Sequence, residues 1–296
     1  MNSKNIKRHL NAKLKDWLDS ISDEEVKSII KKNTIITGGA LVSLLTGEPV
    51  HDYDVYFRTK EACLAVARYY TDQWNKTHPD NRQAVVDTKE NSSKISVFIS
   101  SQGVVSEASP NPFEDGVSIE ENPEKPETNT EKPKYRPVFI TSNAITLSDK
   151  IQVIVRFYGE VEQIHSNFDF VHCTCSWTSW DNQVQLPTKA LECIINKELF
   201  YVGSKYPLCS IIRTRKYLER GYHINAGQYV KMAFQLNQLN LNDVETLKDQ
   251  LLGVDSTYFD ILISAIHAKQ LKNKEDNTIG EEVDTAYVIE LINRIF

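Results

Sequence analysis

Twenty-one residues, Thr34 to Asp54, hold the pattern that most restricts the fold: a β-prone run, two glycines, a short apolar helix and an acid-x-acid strand. The run Thr34 to Thr37 leads directly into Gly38-Gly39, and Ala40 to Leu45 then reads as a helix that stops at Gly47. Two glycines at a strand-to-helix turn let the backbone come close to a ligand, with the N–H groups of the helix start pointing at it. Such a turn is a phosphate cradle. His51 to Phe57 alternates as a strand, so Asp52 and Asp54 share one face while Tyr53, Val55 and Phe57 take the other. Carboxylates crowded on one face repel unless a cation bridges them, and Mg2+ suits carboxylates combined with phosphate oxygens.

A site that transfers phosphoryl or nucleotidyl groups with two metals calls for a third acid. Asp169 is the candidate: it stands between Phe168 and Phe170 in an apolar run, Phe168 to Cys175, that reads as a strand, and a buried acid with no task is costly. A local hydrogen bond at a strand end is the other reading of Asp169.

The chain has 296 residues, 41% hydrophobic and 25% charged, with a mean hydropathy of −0.40, which leaves room for about two domains with real cores. An amphipathic helix carries Ile6, Leu10, Leu14, Trp17 and Leu18, and Glu61 to Lys76 has helical periodicity. Strands are expected at 84–87, 95–100, 137–147 and 151–157, with a short helix at 159–164. Beyond Pro187 the pattern turns helical, at 188–196, 208–220, 226–239, 244–252, 258–269 and 285–296. The expected fold class is α+β, a mixed-sheet head over residues 1–185 followed by an α-helical domain over 186–296.

No apolar run approaches the roughly 18 residues of a membrane span, and the N-terminal residues lack the apolar stretch of a secretory signal. Five scattered cysteines, an odd number, read as reduced thiols of a cytoplasmic protein. The net charge of −6 argues at first against a nucleic-acid partner. It is unevenly spread. Residues 106–136 hold five prolines and eight acids against four bases, a net of −4, and read as a disordered insertion. From Leu186 to Lys231 eight bases face three acids, a net of +5, and from Asn240 onward eleven acids face five bases.

Gly38-Gly39, twelve intervening residues, Asp52-x-Asp54 and then Asp169 resemble the signature of the polymerase-β-type nucleotidyltransferase superfamily. Within it, Gly38 to Gly47 is similar to the Gly-Gly-x-Val-Arg-Asp-x-Leu-Leu-Gly element of the class II CCA-adding and poly(A) polymerase branch. Val42 and Ser43 stand where that branch has Arg and Asp. Pro207 to Ile224, with Arg213, Arg215, Lys216 and Gly221, is similar to a helix that follows the branch's catalytic head. The compact form with a Pro- and Glu-rich insertion also looks like nucleotidyltransferases encoded by bacteriophages, which would place the protein in the host cytoplasm.

The resemblance implies a nucleotidyltransferase head that moves NMP from an NTP to an acceptor hydroxyl, a tRNA-like RNA 3′ end, with release of pyrophosphate. It implies a two-metal Mg2+ site, with Mn2+ as the alternative, on Asp52, Asp54 and Asp169, the last binding the second metal or taking the acceptor proton. Gly38 and Gly39 would hold the phosphates. Ser43 either adds a hydroxyl to them or is an idle helix-surface serine. Arg156 either neutralises the triphosphate or pairs with an acid. Arg213 and Lys216, three apart on one helix and so neighbours on its surface, either contact base or phosphate or form a solvated face.

Two other readings stand beside this one: nucleotidylation of a protein or small molecule, as in toxin-like members, and a non-catalytic nucleotide-binding module that keeps the fold. His172-Cys173-x-Cys175 does not make a zinc site, since no second Cys/His pair stands at ligand spacing. Trp177 and Trp180 either pack or stack on bases.

Overall fold

A computed structural model describes residues 1–77, 84–91, 94–101, 133–140, 143–241 and 243–251. The expected insertion lies outside them except for residues 133–136, and the expected helices at 258–269 and 285–296 lie wholly outside. The chain divides into two compact units, Met1–Val161 with Trp177–Val184, and Glu162–Ser176 with Gln185–Phe296. The α+β class holds.

The first unit opens with two helices, α1 (Ser3–Asp19) and α2 (Glu24–Asn33). Asn2 caps α1 by accepting from the Asn5 N–H at 2.9 Å. Asp23 caps α2, its carboxylate accepting from Glu25 and Val26 N–H at 2.9 and 3.1 Å. Glu24 and Glu25 in the first turn of α2 and Lys31 and Lys32 in its last match the helix dipole. Then follow β1 (Thr34–Thr37), α3 (Gly39–Thr46), β2 (Tyr53–Phe57), α4 (Lys60–Thr77), the hairpin β3 (Ala84–Asn91) and β4 (Lys94–Ser101), β5 (Pro137–Ile140), β6 (Ala144–Leu147) and β7 (Ile151–Tyr158). The run 137–147, expected as one strand, is two, paired antiparallel with Ile140 opposite Ile145.

With β8 (Ser176–Thr178) and β9 (Gln183–Gln185), five of these strands make a seven-stranded sheet ordered β5-β6-β7-β2-β1-β8-β9, and β3 and β4 form a separate two-stranded sheet. β2 runs parallel to β7 and antiparallel to β1, so the acid-x-acid strand sits in the interior of the sheet. Val55, Phe57, Val153 and Val155 are fully buried. Helix α4 covers this face, with Cys63 Sγ 3.5 Å from the Val155 carbonyl, and is joined to α1 where the Trp17 indole N–H donates to the Tyr70 hydroxyl at 2.6 Å.

The second unit holds most of α5 (Val161–His165), a 3-10 turn (Val171–Cys173), α6 (Thr188–Ile195), α7 (Pro207–Glu219), α8 (Ala226–Leu236) and α9 (Val244–Leu251). Its core joins Phe170, Leu199, Tyr201, Tyr222 and Met232, with Ile211, Tyr217 and Ile224 against them. The expected strand 168–175 is absent. Phe170 instead makes an isolated bridge to Tyr201 and leads into the 3-10 turn, because its ring is taken by Tyr201 and Tyr217 at centroid distances of 5.8 and 5.5 Å.

Candidate functional site

Gly38 is the point at which the chain turns from β1 into α3. Its φ of +83° and ψ of −144° suit glycine alone, and a Cβ there would lie 3.2 Å from Oδ2 of Asp54. The carboxylate thus rests against the bare backbone of the turn, at the end of α3 where aligned peptide dipoles favour negative charge. At Gly39, the first residue of α3, a Cβ would meet nothing within 4 Å. Space is open there for a phosphate to approach the helix start. At its other end α3 closes on Gly47, whose φ is +82° and whose N–H donates to the Ser43 carbonyl at 2.9 Å.

On the sheet, Asp54 is paired with Thr37 of β1 and Gln152 of β7, and paired residues project to the same face. Asp52 lies immediately before β2 and is exposed. Between the two acids Tyr53 points the other way. Its hydroxyl is 2.6 Å from Nε2 of His9 on α1, and only 5% of its surface is exposed. Burial pushes the Tyr53 hydroxyl up, and burial together with the Lys13 charge pushes the His9 imidazole down. Two neutral groups therefore tie the acid-bearing strand to α1. Lys13 donates to the Tyr135 hydroxyl at 2.9 Å and the Asp149 carbonyl at 2.6 Å, and Tyr135 donates to Asp16 at 2.7 Å. Sequence reasoning missed Thr37 and His9. Neither carries a local signal, since sheet pairing brings in one and helix docking the other.

The donor set suits Mg2+, which is commonly held by one or two carboxylates plus substrate phosphate oxygens. Among the described residues no group of three or more His, Cys, Asp or Glu is gathered so as to hold a metal. Asp54 is the acid that the glycine turn touches, and Asp52 stands two residues before it. Ser43 is half-buried in α3. Arg156 is half-buried at an irregularity of β7, where the Val155 and Arg156 N–H groups both donate to the Asn143 carbonyl, at 2.9 and 3.3 Å; its guanidinium lies 5.5 Å from the Phe157 ring centroid.

Asp169, Arg213 and Lys216 belong to the second unit. Asp169 stands at a bend, not in a strand, and is 5% exposed. Nη1 of Arg213 donates to its Oδ2 at 2.9 Å. Burial alone would lower the Arg213 pKa, and the Asp169 charge more than offsets it, so the guanidinium is held above its ordinary value. Lys216 is exposed on α7. His172 is 1% exposed, with Nε2 3.3 Å from Cys173 Sγ and Nδ1 without a hydrogen-bond partner. Burial pushes its pKa down to about 4. Cys173 and Cys175 are buried too, as small core residues. Trp177 is fully buried and donates to Asn182 Oδ1 at 2.9 Å, while Trp180 lies under the Arg58 guanidinium at 4.9 Å. Trp177 therefore packs. No helix among the described residues is long and apolar enough to cross a membrane.

A family model described as Gad2, Gabija anti-defense 2 family protein, matches residues 8–197. A curated relative, Gabija anti-defense 2 of Bacillus phage SPbetaL7, is 22% identical over 267 residues, 89% of this chain and 51% of the relative. The chain spans about half the length of that relative. Among solved structures, the CCA-adding enzyme of Bacillus stearothermophilus in complex with CTP matches at a TM-score of 0.35 and 13% identity, over 78% of this chain and 47% of that one. The Thermotoga maritima CCA-adding enzyme complexed with tRNA matches at 0.38 and 10%, over 88% and 53%.

Proposed function

Since the chain belongs to the Gabija anti-defense 2 family, we propose that it serves in phage counter-defence, and that its chemistry is transfer of NMP from an NTP to the 3′ hydroxyl of an RNA. The observation that carries the chemical part is the packing of Gly38 against Asp54, 3.2 Å from a Cβ position to Oδ2. It sets an acid beside an anion-accepting helix start, an arrangement that makes sense where a cation and a phosphate meet. Asp52 and Asp54 would hold Mg2+ or Mn2+, which supplies charge neutralisation at the phosphates. The Gly38-Gly39 turn receives the triphosphate, and Ser43 and Arg156 are assigned to its oxygens. The acceptor hydroxyl attacks the α-phosphorus in line, its new O–P bond replacing the bond to the departing pyrophosphate and its proton passing to solvent, with positioning and electrostatics as the source of rate. The +5 stretch from Leu186 to Lys231 supports an RNA acceptor. Asp169 is assigned to its ion pair with Arg213 and not to the metal, and Lys216 to a solvated face.

A second reading, a nucleotide-binding module without turnover, is favoured by Gln152, a neutral side chain beside Asp54 on the acid face. One assay separates the two. Protein is incubated with each α-labelled NTP, Mg2+ and cellular RNA, and pyrophosphate and the labelled product are followed. Label on RNA, reduced about 100-fold or more in Asp52→Asn and Asp54→Asn, is the expected result; NTP binding with no pyrophosphate supports the second reading. Label on protein moves the acceptor from RNA to a side chain. Pyrophosphate release unchanged in both variants overturns the site.

A further inference from the structure

On the first unit a groove of about 500 Å3 lies between α1 and the turn joining β8 to β9, lined by Ser3, Lys4, Lys7, Arg8, Asn11 and Asn182 and by neither of the two acids. Its wall holds three cations and no acid, on a chain whose net charge is −6. Among the described residues none of the three cations forms an ion pair; Lys7 donates to Gln183 Oε1 at 3.3 Å, and Lys4 and Arg8 are exposed. They also occupy the early turns of α1, which has no acid in its first turn, whereas α2 places acids first and lysines last. Lys4, in the first turn, opposes the helix dipole at about 0.3–1 kcal/mol, while Lys7 and Arg8 follow in the second turn. A local rule broken with no partner in the fold marks a place kept for something outside it.

The groove is also oriented. Trp177 Nε1, which can only donate, lies 2.9 Å from Asn182 Oδ1, and Asn11 Nδ2 donates to the same oxygen at 2.7 Å. The Asn182 oxygen is thereby consumed inside the protein, and its NH2 is the edge left for a ligand. The lining residues are Lys, Arg, Asn and Ser, whose heads suit phosphate oxygens while their aliphatic stems make about half of the lining surface, and no aromatic or large aliphatic residue of the kind that anchors a protein partner stands among them. Lys4 and Arg8, about 6 Å apart along the helix axis, match a repeating anion better than a single one.

We propose that this groove binds the phosphodiester backbone of a single-stranded nucleic acid, independently of base sequence. The proposal does not rest on nucleotidyl transfer. Its test is fluorescence anisotropy of the full chain with a labelled 20-nucleotide single strand, repeated from 50 to 200 mM salt. The variant Lys4→Gln/Lys7→Gln/Arg8→Gln is expected to bind at least tenfold more weakly, with a salt slope shallower by about 2, from some three phosphates at about 0.7 each. Lys31→Gln/Lys32→Gln, which removes two exposed lysines from the end of α2, serves as the control and should bind like the unaltered protein. The proposal fails if the unaltered protein does not bind the strand, if the control loses as much as the triple variant, or if polyglutamate or inorganic phosphate at equal charge displaces the strand as well as unlabelled strand does.

Discussion

A methyl group added at Gly38 meets two obstacles, a backbone conformation reserved for glycine and the Asp54 carboxylate at 3.2 Å. One at Gly39 meets none, and it enters a helix, where alanine exceeds glycine by about 0.5–1 kcal/mol. Gly38→Ala should therefore cost about 1–3 kcal/mol in urea melts and abolish NTP binding, while Gly39→Ala should fold at least as well as the unaltered chain. Equal losses in the two variants would show that Gly38 has no special place at the turn. The pair also marks how far sequence reading reaches. The turn at Gly38-Gly39 and the strand place of Asp54 are legible because a strand-turn-helix and a period of two are local patterns, whereas Asp52, read as part of the same strand, stands just before it. Which glycine touches which acid is set by β1 pairing with β2, and no local pattern holds that.

Among the elements, α3 is legible end to end, since Gly38 and Gly47 both take positive φ at its boundaries. The split of 137–147 into β5 and β6 is hidden because Val138 to Ile140 and Ala144 to Leu147 are alike β-prone and read as one continuous run. The segment 168–175 misleads for a different reason. Its aromatic and β-branched residues are those of a strand, yet they serve the core of a helical unit, where Phe170 meets Tyr201 and Tyr217, and His172 meets Tyr217 at a centroid distance of 4.6 Å. That packing makes the segment sensitive to acid. Burial holds His172 and His165 near pKa 4, against 6.5 when unfolded, with the Asp169 charge opposing the shift at His172 and Arg220 adding to it. As pH falls below 6.5 the unfolded chain takes up these protons first, so the stability present above pH 6.5 drains away until about pH 4. Each histidine contributes up to about 3 kcal/mol to the fall. Urea midpoints of His172→Leu measured from pH 7 to pH 4 should decline about half as steeply as those of the unaltered protein; an undiminished decline would place the acid sensitivity elsewhere.

Across the whole molecule the thiols give a readout of both units. Cys63 lies in the first, Cys173, Cys175, Cys193 and Cys209 in the second, and all five are buried and free of disulfides. Burial pushes the Cys63 and Cys175 thiols up to about 12, so neither offers thiolate at neutral pH. A thiol reagent at pH 7.5 should find no fast-reacting group in the native protein and five in denaturant, and a fast native phase would show that one unit opens readily. The charge of −6 has a similar lesson, for the cations of the α1 groove and of 186–231 are invisible in the total. The order of the chain through the units matters as well. It leaves the first unit after Val161, builds part of the helical unit with residues 162–176, and returns to add β8 beside β1 and β9 at the edge. A cut at residue 161 strips the sheet of two strands, and a cut at 185 leaves Asp169 without Arg213. No single crossover in a recombining genome can trade one unit for another, so the two are inherited and lost together.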